Sequence, residues 1–324
     1  MDTPTLAAAV ALVMAALLLA TGCTLTVESS DTDDGVDVGV DLGETGEEPG
    51  AGDSPDADSS AGGALAPPAA EAEDRVPVDP PQGAEPVTID RVIDGDSLEV
   101  SLADGSPAEV RMEGINAPEL NAIAGGRTCA GEAARAELTA LLSVGEVTLT
   151  GEEFDRFDRL LARLHVDGHP VELDLIAAGW ALALWSAEDP AATAAMFAAA
   201  EAGRGWWGDG CGPPAADALA IGATQANAPG DDRENLDQEW VELVNEGDTA
   251  VDLSGWVLRD ETTSNRFLLD GVTIDPGETL RVVTGRGGGD VELGEDFPVW
   301  SNNGETVLLV DPEGVIAAWA FLGG

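Results

Sequence analysis

Apolar and polar residues alternate through Val87-Thr88-Ile89-Asp90-Arg91-Val92, again from Ser97 to Leu102, and again through Pro107–Ile115. A period of two marks half-buried strands. Asp94-Gly95-Asp96 is the tight turn between the first pair, and Asp104-Gly105 is a hairpin turn between the second. Pro118, in Asn116-Ala117-Pro118-Glu119, ends the third strand. From Gly131 to Leu142 the apolar positions switch to helical spacing, with Glu and Arg on the other face. Val147–Thr150 and Leu160–Val166 predict two further strands, and Val171–Gly179 a second helix. Asp189-Pro190 opens a third helix, with Asp at the N-cap and Pro in the first turn, and it runs alanine-rich to Gly203.

Five short strands with helices outside predict a small five-stranded β-barrel of the oligonucleotide-binding (OB-like) kind, an α+β domain over 86–211. Pro213-Pro214 marks a boundary. Beyond it, Ala220–Ala226, Glu239–Asn245, Val251–Leu258, Phe267–Leu269, Thr279–Thr284 and Thr306–Val310 are short alternating strands between turn signals. They predict a β-sandwich over 212–324.

The first 85 residues follow neither pattern. Residues 6–20 form an apolar run that is short for a membrane span, and Thr21-Gly22-Cys23 follows it. This layout resembles a bacterial lipoprotein signal peptide over 1–22, although Met1–Thr5 carries Asp2 and no basic residue. The resemblance implies cleavage before Cys23, lipidation there, export, and an anchor in the cell membrane, since two or more acyl chains hold stably where one does not. Residues 23–85 are rich in Asp, Glu, Gly, Ser, Pro and Ala and lack aromatics. Such a stretch cannot bury enough apolar surface to offset its ordering entropy, so it predicts a disordered acidic tether.

Charge then narrows the function. The chain has 62 Asp+Glu against 14 Lys+Arg, a net charge of −48, and every basic residue is Arg. The acidity is spread: 17 acidic residues against one Arg over 24–85, 22 against eight over 86–211, and 22 against five over 212–324. That distribution suits a surface kept soluble in concentrated salt, where self-repulsion is screened within ~3 Å at ~1 M. It excludes a basic protein that coats nucleic acid, so any contact with nucleic acid has to be local.

Three cysteines fit export. With Cys23 assigned to lipid, Cys129 and Cys211 remain, and an oxidising compartment favours a disulfide between them. A metal site would need more Cys or His nearby, and the only histidines, His165 and His169, flank an Asp167-Gly168 turn where solvent exposure is expected.

In the barrel, Asp96, Asn116 and Glu119 lie at strand ends, and Arg111 and Arg159 on neighbouring strands or turns. Hard oxygen donors with a carboxylate suit Ca²⁺. Two planar guanidiniums match the oxygens of a phosphodiester. The ordered strings Val92–Ser97, Arg111–Glu119 and Asp155–Ala162, with Gly179 and Gly205-Trp206-Trp207 beyond, resemble the thermonuclease (staphylococcal-nuclease-like) family in order and spacing. By that resemblance Asp96, Asn116 and the main-chain carbonyl of Ala117 are the Ca²⁺ ligands. Asn116 stands where the family often has Asp, which removes one negative charge. Glu119 is implied to orient or deprotonate the attacking water, and Arg111 and Arg159 to bind the phosphate and stabilise the transition state. Phe157 is expected to line the base pocket. Trp185 is expected either to stack on a base or to pack in the core, and Trp206 and Trp207 to pack.

In the last third, Glu239–Asn245, Leu253–Leu258, Asp275-Pro276-Gly277 and Trp300–Glu305 resemble the lamin-tail domain, which implies an immunoglobulin-like sandwich. It shows no catalytic constellation, so an accessory role with an unknown partner is expected. The acidic run Asp231–Asp237 is expected to be a solvated loop. Together these readings give an exported, Ca²⁺-dependent nuclease acting on DNA, with the choice between DNA and RNA left open; the thermonuclease resemblance implies 3′-phosphate ends. The rival is a non-catalytic surface protein that binds nucleic acid or another partner with the same two domains.

Overall fold

A computed structural model describes residues 75–122, 127–185, 189–208, 210–302 and 304–322. The expected signal peptide, Cys23, and the tether up to residue 74 lie outside the described residues. Residues 75–84, grouped with the tether by composition, lie along the first domain. Arg75 pairs with Asp174 at 2.6 Å, and Val78 N–H donates to the Asp167 carbonyl. Specific polar contacts, not burial, hold this segment, whose Val76 and Val78 stay exposed.

The first domain has five main strands: β1 (Thr88–Val92), β2 (Ser97–Ser101), β3 (Pro107–Met112), β4 (Val147–Phe154) and β5 (Leu160–Val166). Neighbours run β4-β5-β3-β2-β1, all antiparallel except β3 with β5. The chain just before β1 pairs with the far edge, Glu85 opposite Leu149 and Pro86 opposite Thr148. One continuous stretch therefore bonds to both ends of the sheet and closes the barrel, leaving no free edge there. Inward residues Leu98, Val100, Val110, Met112, Leu149, Leu160, Ala162 and Leu164 are buried.

Helix α1 (Cys129–Leu141) begins at Thr128, whose Oγ1 accepts from Gly131 N–H at 3.0 Å. Helices α2 (Val171–Ala177) and α3 (Pro190–Glu201) follow, the last capped by Asp189 as its sequence predicts. Cys129 and Cys211 form a disulfide. His165 departs from expectation. It sits on β5, buried, and burial lowers its pKa. The barrel wall, not the Asp167-Gly168 turn, decides its exposure.

The second domain is a β-sandwich of two four-stranded sheets. One contains β6 (Leu219–Gln225), β7 (Trp240–Asn245), β10 (Thr279–Val283) and β11 (Val291–Glu292). The other contains β8 (Val257–Arg259), β9 (Arg266–Leu268), β12 (Glu305–Val310) and β13 (Ile316–Leu322), in the order β9-β8-β12-β13. Two expectations change. Val251–Leu258 is broken at Ser254-Gly255, where Gly255 has φ 81°, and β13 has no counterpart among the predicted strands.

Every residue of β12 is buried. Alternate side chains of a strand face opposite sides. Val307 and Leu309 enter the sandwich core, while Leu308 and Val310 join the core of the first domain, with Val257 and Ile316. Aromatic edges seal that seam: Trp207 meets Trp319 at 5.5 Å, and Phe197 meets Phe321 at 4.1 Å between ring centres. The first domain's core thus extends across the seam onto one face of this sheet, while the sandwich keeps its own core on the other.

Candidate active site

The register of β2 and β3 builds the centre of the site. Ser97 lies opposite Arg111, which sets Asp96, one residue earlier, beside the guanidinium. Asp96 Oδ2 lies 3.0 Å from Arg111 Nη1 and accepts from Ala117 N–H at 2.7 Å, while Oδ1 accepts from Ser97 Oγ. Asp96 is buried, and burial pushes its carboxyl up to about 7 against the pull of Arg111. Close packing beneath the turn depends on Gly95, where a Cβ would stand 2.6 Å from Ala117 Cβ and 2.7 Å from Ala134 Cβ.

Arg111 is clamped as well as paired. Nη1 donates to the Met112 carbonyl and Nη2 to the Ile115 carbonyl, each at 3.0 Å, and Nη2 reaches Asn116 Oδ1 at 3.4 Å. Arg159 reaches the same cleft through the parallel pairing of β3 with β5, where Val110 faces Leu160. Its guanidinium is held by Asp155 at 2.7 Å. Burial works against ionisation of Asp155, but N–H groups of Arg159 and Phe157 and the Arg159 guanidinium hold its carboxyl below the ordinary value. Phe157 is 64 % exposed beside them, its ring 5.6 Å from Arg159 and 4.8 Å from Arg156.

Glu119 sits on the rim, 38 % exposed. Its main chain is fixed from below, where Thr128 Oγ1 donates to its carbonyl. Gly131 permits that approach, since a Cβ there would lie 2.4 Å from Glu119 O. One polar cleft of about 380 Å³, partly open to solvent, brings together Asp96, Arg111, Asn116, Ala117, Glu119 and Arg159. Trp185 is not in it. Its ring packs against Phe197, with ring centres 5.9 Å apart.

Three neighbours of the site come from the second domain and were missed by sequence. Asn116 Nδ2 donates to the Glu261 carbonyl at 2.8 Å, Arg266 Nη1 lies 3.3 Å from Glu119 Oε1, and Thr263 lines the cleft. A polar turn in a sandwich hairpin carries no sequence signal of a role in another domain's site.

Among the described residues, no three Asp, Glu, His or Cys side chains converge as a metal cage. The oxygen donors of the cleft nevertheless fit a hard cation in kind: the Asp96 carboxylate, the Asn116 amide oxygen and the Ala117 carbonyl, with Asp94 and Glu119 at the margin. Nitrogen and sulfur ligands are absent from that lining.

Comparison with known families agrees with this architecture. Residues 109–209 match the family model described as Staphylococcal nuclease homologue, and 212–322 match the one described as Lamin Tail Domain. No curated protein matches the chain. Arg111, Asn116, Glu119 and Arg159 fall within the first match, and Asp96 joins them through the pairing of β2 with β3. The chain therefore carries a staphylococcal nuclease homologue domain followed by a lamin tail domain.

Proposed function

We propose that the protein is an exported, lipid-anchored, Ca²⁺-dependent nuclease that hydrolyses phosphodiester bonds of DNA, and of RNA as a second substrate, leaving 3′-phosphate ends. The observation that carries this reading is the convergence of Arg111, Arg159 and Glu119 with three oxygen donors in one polar cleft. Asp96, Asn116 and Ala117 would hold Ca²⁺, which supplies Lewis-acid polarisation of the phosphate when bound.

The chain's own groups divide the remaining work. Glu119 takes the proton of the attacking water. Arg159, 26 % exposed, presents N–H donors to the phosphate oxygens, and Arg111 places positive charge behind them. Water oxygen bonds to phosphorus, the bond to the 5′ oxygen breaks, and that oxygen takes a proton from solvent water as it leaves, while Glu119 returns its own proton to solvent. Exposed Phe157 offers a face on which a base stacks, at about 1–3 kcal/mol per stacked base.

The test is cleavage of single-stranded DNA by the chain with Ca²⁺ or a chelator, beside Glu119→Gln. Ca²⁺-dependent cleavage that falls ~10²–10⁴-fold in the variant is expected. Binding without cleavage by folded protein would instead favour a non-catalytic binding module, the reading that the exchange of Asp for Asn at 116 supports.

A further inference from the structure

The turn that joins β8 to β9 stands against the nuclease cleft. Residues 260–265 belong to the lamin tail domain, yet they and the adjoining Arg266 reach the nuclease cleft at three points: the Glu261 carbonyl on Asn116, Thr263 in the lining, and Arg266 against Glu119. We infer that this hairpin is a built-in wall of the nuclease site, in which Arg266 is a positioning residue for Glu119 and the Glu261 carbonyl fixes the Asn116 amide. The inference rests on the nuclease reading above and assigns the second domain a part in that reaction.

The hairpin is held rigidly. Asp260 Oδ1 accepts from Thr262 N–H and Thr262 Oγ1, and Asp260 Oδ2 accepts from Asn265 Nδ2. Arg259, buried, donates to the carbonyls of Asp260 and Thr262 at 2.9 Å each and lies over the Trp206 ring of the nuclease domain. Glu261 accepts from Thr306 N–H at 3.1 Å. Strand β8, which leads into the turn, and its neighbour β12 stand on the first domain's core through Val257 and Leu308. A segment anchored in this way does not swing as a lid. It stays where the site needs it.

Two consequences follow from hydrogen-bond chemistry. A carbonyl only accepts, so Glu261 O selects the NH₂ end of Asn116 and leaves Oδ1 toward Arg111, on the cleft side. An Asp at 116 would bring an oxygen against that carbonyl with no proton between them. The hairpin thus gives a physical reason for Asn at this position. Arg266, for its part, limits the range of positions open to the carboxylate of Glu119, which is otherwise a rim side chain with rotamer freedom. Placement within a fraction of an ångström decides general-base efficiency.

Steady-state cleavage of a single-stranded DNA oligonucleotide with Ca²⁺ tests this in the full chain. Arg266→Gln and Arg266→Lys would be measured, each alone and with Glu119→Gln, after thermal melts show them folded. We expect Arg266→Gln to lower kcat about tenfold or more with KM changed less than about twofold. Arg266→Lys should recover part of the loss, and Arg266→Gln should add nothing in the Glu119→Gln background. Unchanged or raised kcat in folded Arg266→Gln, or an equal loss in the Glu119→Gln background, overturns the positioning role while the nuclease reading stands. A wild-type chain that does not cleave at all overturns both.

Discussion

Asn116 on the nuclease domain donates its side-chain N–H to the main-chain carbonyl of Glu261, 145 residues further along, at 2.8 Å. Asn116 is almost fully buried, so the bond is made without competition from water. A residue of the candidate site in one domain therefore takes its orientation from the other domain. The packing of Val257, Leu308, Val310 and Ile316 on the first domain's core keeps the two in register.

The first prediction concerns that bond. Asn116→Asp should destabilise the protein by about 1–3 kcal/mol at neutral pH, because it replaces a buried donor with an oxygen facing an oxygen. Acidification should shrink the loss, since a protonated Asp regains a donor. Chemical denaturation of both proteins at two pH values checks the sign and the size.

The two cleft arginines should separate in their effects. Arg111→Ala leaves Asp96 buried without its cation, which costs about 3–5 kcal/mol of stability in comparable buried pairs, and it removes activity too. Arg159→Ala opens a partly exposed pair that contributes little to folding, yet should lower kcat ~10²–10³-fold. Thermal melts beside kinetics distinguish the outcomes, and a large melting shift in Arg159→Ala would contradict this division.

Stability should depend on pH through Glu305. Burial, then the charges of Glu261 and Asp260, pushes its carboxyl up to about 9 in the folded protein, against ~4.3 unfolded. Between these values the folded state keeps a proton that the unfolded state has released, so raising pH favours unfolding. The slope from this group is on the order of 1 kcal/mol per pH unit. Glu305→Gln, neutral throughout, should flatten the decline between pH 5 and 8 and raise stability at pH 8. Denaturant midpoints across that range measure it.

Salt should act in two directions on activity. The nuclease segment 86–211 has 22 acidic residues against eight Arg, so at low salt it repels DNA through a field that added ions screen. At higher salt the contacts of Arg159 and Arg111 with phosphate weaken in turn. Cleavage is expected to rise and then fall with NaCl; a steady fall from the lowest salt would show that the arginine contacts dominate throughout.

Much of the site is legible in the chain because the motif residues sit close to their turns. Asp94-Gly95-Asp96 and Arg111 lie within one β-meander, with Asn116 and Glu119 just beyond it, and hairpin register alone brings Asp96 to Arg111. Arg159 follows from the turn at 155–159, which Asp155 closes. Trp185 and His165 were not legible. Aromatic and imidazole rings serve as readily in a core as in a site, and only the packing around them decides. Strand β13 was hidden for a different reason: all seven of its residues are apolar, so no alternation marks it, and it packs on both sides, with Ile316, Trp319 and Phe321 on the first domain and Ala317, Ala318 and Leu322 in the sandwich core.

The two folds and the pairing of Cys129 with Cys211 are written in the chain itself. Period-two alternation, turn residues and motif spacing are local properties, and local sterics translate them directly into strands and turns. Tertiary fit alone sets Val257, Leu308, Val310 and Ile316 of the sandwich on the first domain's core, and Glu261, Thr263 and Arg266 at the border of the cleft. Contacts between residues more than a hundred positions apart depend on how two finished surfaces fit. No periodicity along the chain encodes that fit.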